Sequence, residues 1–130
     1  KRGVGLIKDN DGGGDQPGDS FETAINLDIL TGEQVVSDTI GFTEGIKRDT
    51  NDYFRFQTDK EGTFVLVLDD LLKNADVELY GSEQELINQS KNKGIKPESM
   101  STILDPDTYF LRVYPQGGSR TNYRLSVDLL

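Results

Sequence analysis

The chain has 130 residues, enough for one domain around a single core. Its 14 Lys and Arg face 23 Asp and Glu, a net charge of -9, which repels phosphate backbones and anionic membrane surfaces and argues against nucleic acid as a partner. It has no Cys and no His, which closes thiol chemistry, disulfides, the usual zinc ligands and any Ser-His-Asp triad.

Taken in chain order, residues 1–20 differ from the rest. Gly3-Val4-Gly5-Leu6-Ile7 is apolar enough for an edge strand, and 9–19 is a Gly/Asp-rich run that reads as a linker. Such a run buries too little surface to offset its ordering entropy. Residues 1–20 are therefore expected to be a linker or N-terminal extension, and 21–130 the domain.

From Phe21 onward short strands alternate with turn signals. The first strands are predicted over 24–27 and 35–40, with a polar connection over 41–50. Residues 52–57 alternate cleanly: Phe54 and Phe56 face one side, Tyr53, Arg55 and Gln57 the other. After the turn at Lys60-Glu61-Gly62, Phe64, Leu66 and Leu68 share one face. Val65 and Val67 on the other suggest a central strand covered on both sides. A loop or single helical turn over 69–75 precedes alternation at Val77 and Leu79. Further strands are predicted over 86–90, 100–104, 108–114 and 123–129. The basic loop with Lys91, Lys93 and Lys96 reads as a solvated tip that discourages edge pairing.

Eight or nine short strands with no long helical period, about this spacing, predict an all-β domain: an antiparallel β-sandwich. Its expected core is Phe54, Phe56, Phe64, Leu66, Val77, Leu79, Leu111, Val113, Leu125 and Val127.

Asp49 and Asp52 stand three apart in a turn that runs into the strand over 52–57. Their carboxylates can converge on one point, as a calcium ion with its tolerant, oxygen-rich shell requires. The linker offers Asp15, Asp19 and the Gln16 side-chain carbonyl, and backbone carbonyls could complete the shell. The competing reading is local: Asp and Asn favour turns because they bond nearby backbone groups. The run Asp9-Asn10-Asp11-Gly12 begins like an EF-hand loop but has Ser20 where the bidentate Glu is needed, so it is set aside.

The five tyrosines raise a second possibility, since exposed Tyr on a sheet face contacts polysaccharide or fibrous protein. Tyr53, Tyr109 and Tyr123 read as half-buried core residues with wet hydroxyls. Tyr114, beside a Gly-rich loop, is the candidate binding residue.

Four stretches in order carry a family resemblance. They are Pro17-Gly18-Asp19-Ser20-Phe21-Glu22-Thr23-Ala24, then Asp49-Thr50-Asn51-Asp52-Tyr53-Phe54-Arg55-Phe56, then Asn74-Ala75-Asp76-Val77-Glu78-Leu79-Tyr80. The last is Asp107-Thr108-Tyr109-Phe110-Leu111-Arg112-Val113, followed by Asn122-Tyr123-Arg124-Leu125. Over roughly residues 15–130 the chain resembles the bacterial pre-peptidase C-terminal domain, a jelly-roll-like sandwich found beside secreted proteases and in other exported proteins. The collagen-binding domains of clostridial collagenases are similar to it. The resemblance implies that Asp19, Asp49 and Asp52 stand at ligand positions of the calcium-binding members, in which the segment before the first strand folds across the sandwich when metal binds. Gln16 stands where those members carry Glu, which weakens the site. Asp107 stands where the family has Gly, which changes only a turn.

Three functions compete. One is a non-catalytic accessory module of an exported bacterial protein, calcium-stabilised, that aids folding, secretion or anchoring beside neighbouring domains. Another is a substrate-binding module for polysaccharide or collagen-like polymer. An enzyme with a carboxylate pair is the weakest, because no cleft motif accompanies the acidic residues. No apolar run approaches the about 18 residues of a membrane span, so no membrane insertion is expected. No leader is visible. The chain opens on Lys1 rather than Met and reads as a piece of a longer protein, so export stays open. The expected state is an extracellular or cell-surface monomer.

Overall fold

Successive side chains of a strand point to opposite faces, so strict apolar–polar alternation demands a sheet with one buried side. The structure, a computed structural model, meets that demand over residues 20–40, 51–115 and 121–130, which are the residues described. The edge strand expected at Gly3-Val4-Gly5-Leu6-Ile7, residues 1–19 of the expected 1–20 linker and the 41–50 connection lie outside them.

The described residues form β1 (Ile25–Ile29), β2 (Gln34–Ile40), β3 (Asp52–Thr58), β4 (Gly62–Asp69), β5 (Ala75–Tyr80), β6 (Leu86–Ser90), β7 (Glu98–Leu104), β8 (Asp107–Pro115) and β9 (Thr121–Leu129). A five-stranded sheet has the order β1-β3-β8-β5-β6 and a four-stranded sheet the order β2-β9-β4-β7. The sandwich is as expected, with one departure. β1 runs parallel to β3, while the other paired strands are antiparallel. β1 and β2 pair into different sheets, so the short turn between them rounds a corner. Leu30 N–H donates to the Gln57 carbonyl at 2.9 Å there, and Gln34 Nε2 donates to the Leu27 carbonyl at 2.9 Å. Asp28 adopts a φ of 65°, and its N–H donates to Asn26 Oδ1 at 2.9 Å, where the register of β1 shifts.

All ten expected core residues are buried. In register, Phe54, Leu111 and Leu79 form one row of the five-stranded sheet. Leu125 and Leu68 form a facing row of the other. The sheets meet at Phe56 and Phe64, whose rings stack at 4.9 Å with 9° between planes, and Tyr109 extends the stack at 5.6 Å from Phe56. Tyr109 and Tyr123, at 6% and 1% exposure, belong to the core, but not half-buried with wet hydroxyls as expected: their hydroxyls donate to the Asp105 carbonyl and to Asp52. Val65 and Val67 are half-buried on the outer face of β4, so that strand is covered on one side only.

Gly62 has a steric reason. A Cβ there would sit 2.7 Å from the Leu130 carbonyl oxygen. That approach is needed because Thr63 and Leu130 exchange backbone hydrogen bonds at 3.0 and 2.8 Å.

Phe56 touches both layers of the core, so truncation leaves a cavity its neighbours cannot fill. Phe56→Ala is expected to cost about 3–5 kcal/mol, read as a lower urea midpoint at unchanged slope.

Candidate functional site

The structure places the predicted metal residues unevenly. Asp15, Gln16, Asp19 and Asp49 lie outside the described residues. Asp52 opens β3 on its inward face, at 4% exposure. Its Oδ2 accepts the Tyr123 hydroxyl at 2.5 Å. Tyr123 belongs to β9, so this bond spans the two sheets. A buried carboxylate needs such a donor, because its charge is otherwise costly to desolvate. Asp38 was not singled out in the sequence. It pairs in register with Tyr123 and lies between Val36, packed against the core, and buried Ile40. It therefore shares their face at the same end of the sandwich. The donors at this mouth are hard oxygens, the set calcium takes. Among the described residues, no three acidic side chains converge as a metal site.

A second assembly covers the outer face of the five-stranded sheet. β5 and β8 pair Glu78 with Arg112, Tyr80 with Phe110 and Asp76 with Tyr114. Glu78 is the hub, 7% exposed. Arg112 Nη1 donates to its Oε1 at 3.0 Å, the Tyr80 hydroxyl donates to the same oxygen, and Lys91 Nζ lies 3.4 Å from Oε2. Arg112 Nε donates to Asn51 Oδ1 at 2.6 Å, which ties the hub to the residue before Asp52.

Tyr114 is half-buried on this face. The Arg112 guanidinium lies 4.1 Å and the Lys91 ammonium 5.8 Å from its ring centre, a cation–π arrangement. Next to it, Phe21 lies on Tyr53, Tyr80 and Phe110 at 4.7, 5.1 and 5.3 Å between ring centres. Phe21, the first residue of the expected domain, thus caps this face. Lys91, read as part of a solvated tip, reaches the hub, while Lys93 and Lys96 are exposed.

Electrostatics keep the hub ionised. Burial alone pushes the Glu78 carboxyl up; the Tyr80 hydroxyl, Arg112 and Lys91 outweigh it and hold the group below the ordinary 4.5. Burial, then the hydrogen bond to Glu78 and its charge, pushes the Tyr80 phenol up to about 12. Burial also raises the Tyr114 phenol.

No protein-family model and no curated protein matches the chain. Solved structures do match it. The pre-peptidase C-terminal domain of a collagenase from Bacillus anthracis superposes with a TM-score of 0.62 at 16% identity, covering 81% of this chain and 94% of that one. PliG from Salmonella Typhimurium, a periplasmic inhibitor of g-type lysozyme, superposes with a TM-score of 0.53 at 15% identity, covering 82% of this chain and 100% of that one. The described chain has the fold of a pre-peptidase C-terminal domain, as its sequence resemblance implied.

Two measurements test the hub. Arg112→Gln strands a nearly buried carboxylate and is expected to cost about 2 kcal/mol in urea unfolding. That is below the roughly 3–5 kcal/mol for breaking a fully buried pair, because Arg112 is partly solvated. The folded Glu78 value is depressed, so its stabilisation is complete above the unfolded 4.5 and is lost as pH falls through the folded value. The stability gap between the wild type and Glu78→Gln should narrow on acidification in that window.

Proposed function

We propose that the chain is a non-catalytic accessory module of an exported bacterial protein, stabilised by calcium held at the acidic mouth of the sandwich. The observation that carries this reading is Asp52: a carboxylate at 4% exposure where a strand begins, held by a tyrosine of the opposite sheet. Asp52, with Asp49 and Asp19, would supply the charge; Asp15 and the Gln16 carbonyl would add weaker oxygens. Bound calcium would neutralise an end of the domain that otherwise concentrates negative charge on a chain of net charge -9. The fold likeness to a collagenase's C-terminal domain and to a periplasmic protein supports an exported setting beside other domains, extracellular or at the cell surface. The lack of His and Cys supports a structural rather than a catalytic role.

A second reading rests on the outer face. Tyr114, half-buried and flanked by Arg112 and Lys91 on the outer sheet face, supports recognition of a polysaccharide or collagen-like polymer.

Calcium titration during thermal melting tests the first reading. An ion that binds only the folded domain adds about 2.7 kcal/mol at a hundredfold excess over Kd, so the melting temperature should climb with calcium concentration. Asp49→Ala combined with Asp52→Ala should abolish the climb. A wild type indifferent to millimolar calcium sinks the metal reading, and a double variant that responds like wild type sinks the site. For the second reading, insoluble polysaccharide and collagen should retain the wild type and release Tyr114→Ala.

A further inference from the structure

β7 ends the four-stranded sheet, and among the described residues its only ladder is with β4. A strand edge left this way offers N–H and C=O groups to another chain unless something spoils it. The other edge strands are spoiled. The pairings of β1 and β6 slip in register, and β2 carries Asp38. β7 keeps register with β4 over all seven of its residues and contains no Pro or Lys. Its one charged residue, Glu98, is fully buried. The Glu98 Oε1 accepts the Ser90 hydroxyl at 2.6 Å and the Asn92 N–H at 2.9 Å, so its charge is turned to β6 and the loop behind it.

The direction of the edge groups follows from one bond. The Ser99 N–H donates to Ser90 Oγ on β6 at 3.2 Å, so it points away from β4. Backbone groups alternate in direction along a strand, so those of Ser101 and Ile103 point the same way. Asn88 Nδ2 donates to Thr102 Oγ1 at 2.7 Å, so β6 lies beside β7 and runs against it. The flank formed by the two strands exposes Leu86, Ile87 and Ile103, the last at 70%, and β6 has no charged residue. Charge gathers at the two ends of the flank with opposite sign. Lys93 and Lys96, exposed in the loop from β6 to β7, stand at one end. Glu83 and Glu85 before β6, and Asp105 and Asp107 after β7, are exposed at the other.

We propose that β7 is a seam between two copies of this chain, which pair β7 with β7 antiparallel about a two-fold axis at Ser101 and join two four-stranded sheets into one. A two-fold turns one copy end for end, so the lysine end of each meets the acidic end of the other. In this register Ser99 lies opposite Ile103, and Lys96 lies opposite Pro106, between Asp105 and Asp107 of the second copy. The two Ser101 residues exchange both backbone bonds, and the Ile103 N–H reaches the Ser99 carbonyl of the second copy, which leaves the Ser99 N–H on Ser90. Two copies of net charge -9 otherwise repel, so a charge-free strip with ends of opposite sign is a place where they can approach. The lysines, expected from the sequence to discourage edge pairing, stand beyond the ladder and steer it instead. The monomer expected from the sequence is the dilute form.

Sedimentation equilibrium of the whole chain, from micromolar to millimolar concentration, reads the seam. The mass should rise toward that of a dimer and stop there, and rise less at high salt, which screens the end charges. Ser101→Pro removes an outward N–H that β4 does not use, so this variant is expected to fold and stay monomeric. Lys93→Glu with Lys96→Glu, and separately Asp105→Lys with Asp107→Lys, should each weaken self-association about tenfold or more. Mixed in equal amounts, these two double variants should recover most of the lost affinity, because each then meets opposite charge at both ends. A monomer at millimolar concentration and low salt, growth past the dimer, a dimer that survives Ser101→Pro, or a mixture no tighter than its parts overturns the proposal. If Ser101→Pro fails to fold, the mixing experiment decides alone.

Discussion

Two sheets can face each other only if what lies between them is dry, and the stacked rings of Phe56 and Phe64 mark where that condition is met most fully. Every polar group drawn inward must then find its partner inside the protein, because water cannot follow it. Asp52 finds Tyr123 across the gap, and Glu98 finds Ser90 and Asn92. Both groups lie on strands of one sheet and bond to residues of the other layer. Apolar burial brings the layers together, and these cross-gap bonds fix how they sit, since a directional bond tolerates less sliding than a methyl contact.

The outer face of the five-stranded sheet obeys a different rule. It is half-wet, so ionised groups can sit there if they surround one another. Glu78 collects Arg112, Tyr80 and Lys91 from β8, β5 and the loop after β6. Arg112 is the busiest member: it bonds Glu78, lies over Tyr114 and holds Asn51. Through Asn51 the aromatic face and the acidic mouth share a link, so the surfaces behind the two functional readings are physically connected.

Much of this was legible in the alternation of residues. Phe54-Arg55-Phe56 and Tyr123-Arg124-Leu125 announce strands because a period of two has no other stable use here, and the buried rows follow from it. What stayed hidden depends on contacts between distant segments. The parallel sense of β1 beside β3 leaves no mark in either strand's own pattern. Glu98 follows a proline in a Lys-rich stretch, and nothing local says that its side chain turns inward. Asp38 looks like a polar break between Val36 and Ile40; only its pairing with Tyr123 gives it a place. Phe21 lacks periodic neighbours, so its role as a cap over three rings could be seen only once β3, β5 and β8 lay side by side.

The position of β1 has a mechanical meaning. Among the described residues it is an edge strand of five residues, bonded to β3 through a broken register, whereas β9 lies between β2 and β4 over nine residues. A pull entering through β1 and leaving through β9 would therefore tear unevenly. The short edge would peel off first, with little work, and the doubly flanked strand would carry load until the sheet itself parted. Under such a load the described sheets would lengthen in two steps, with slack before the second.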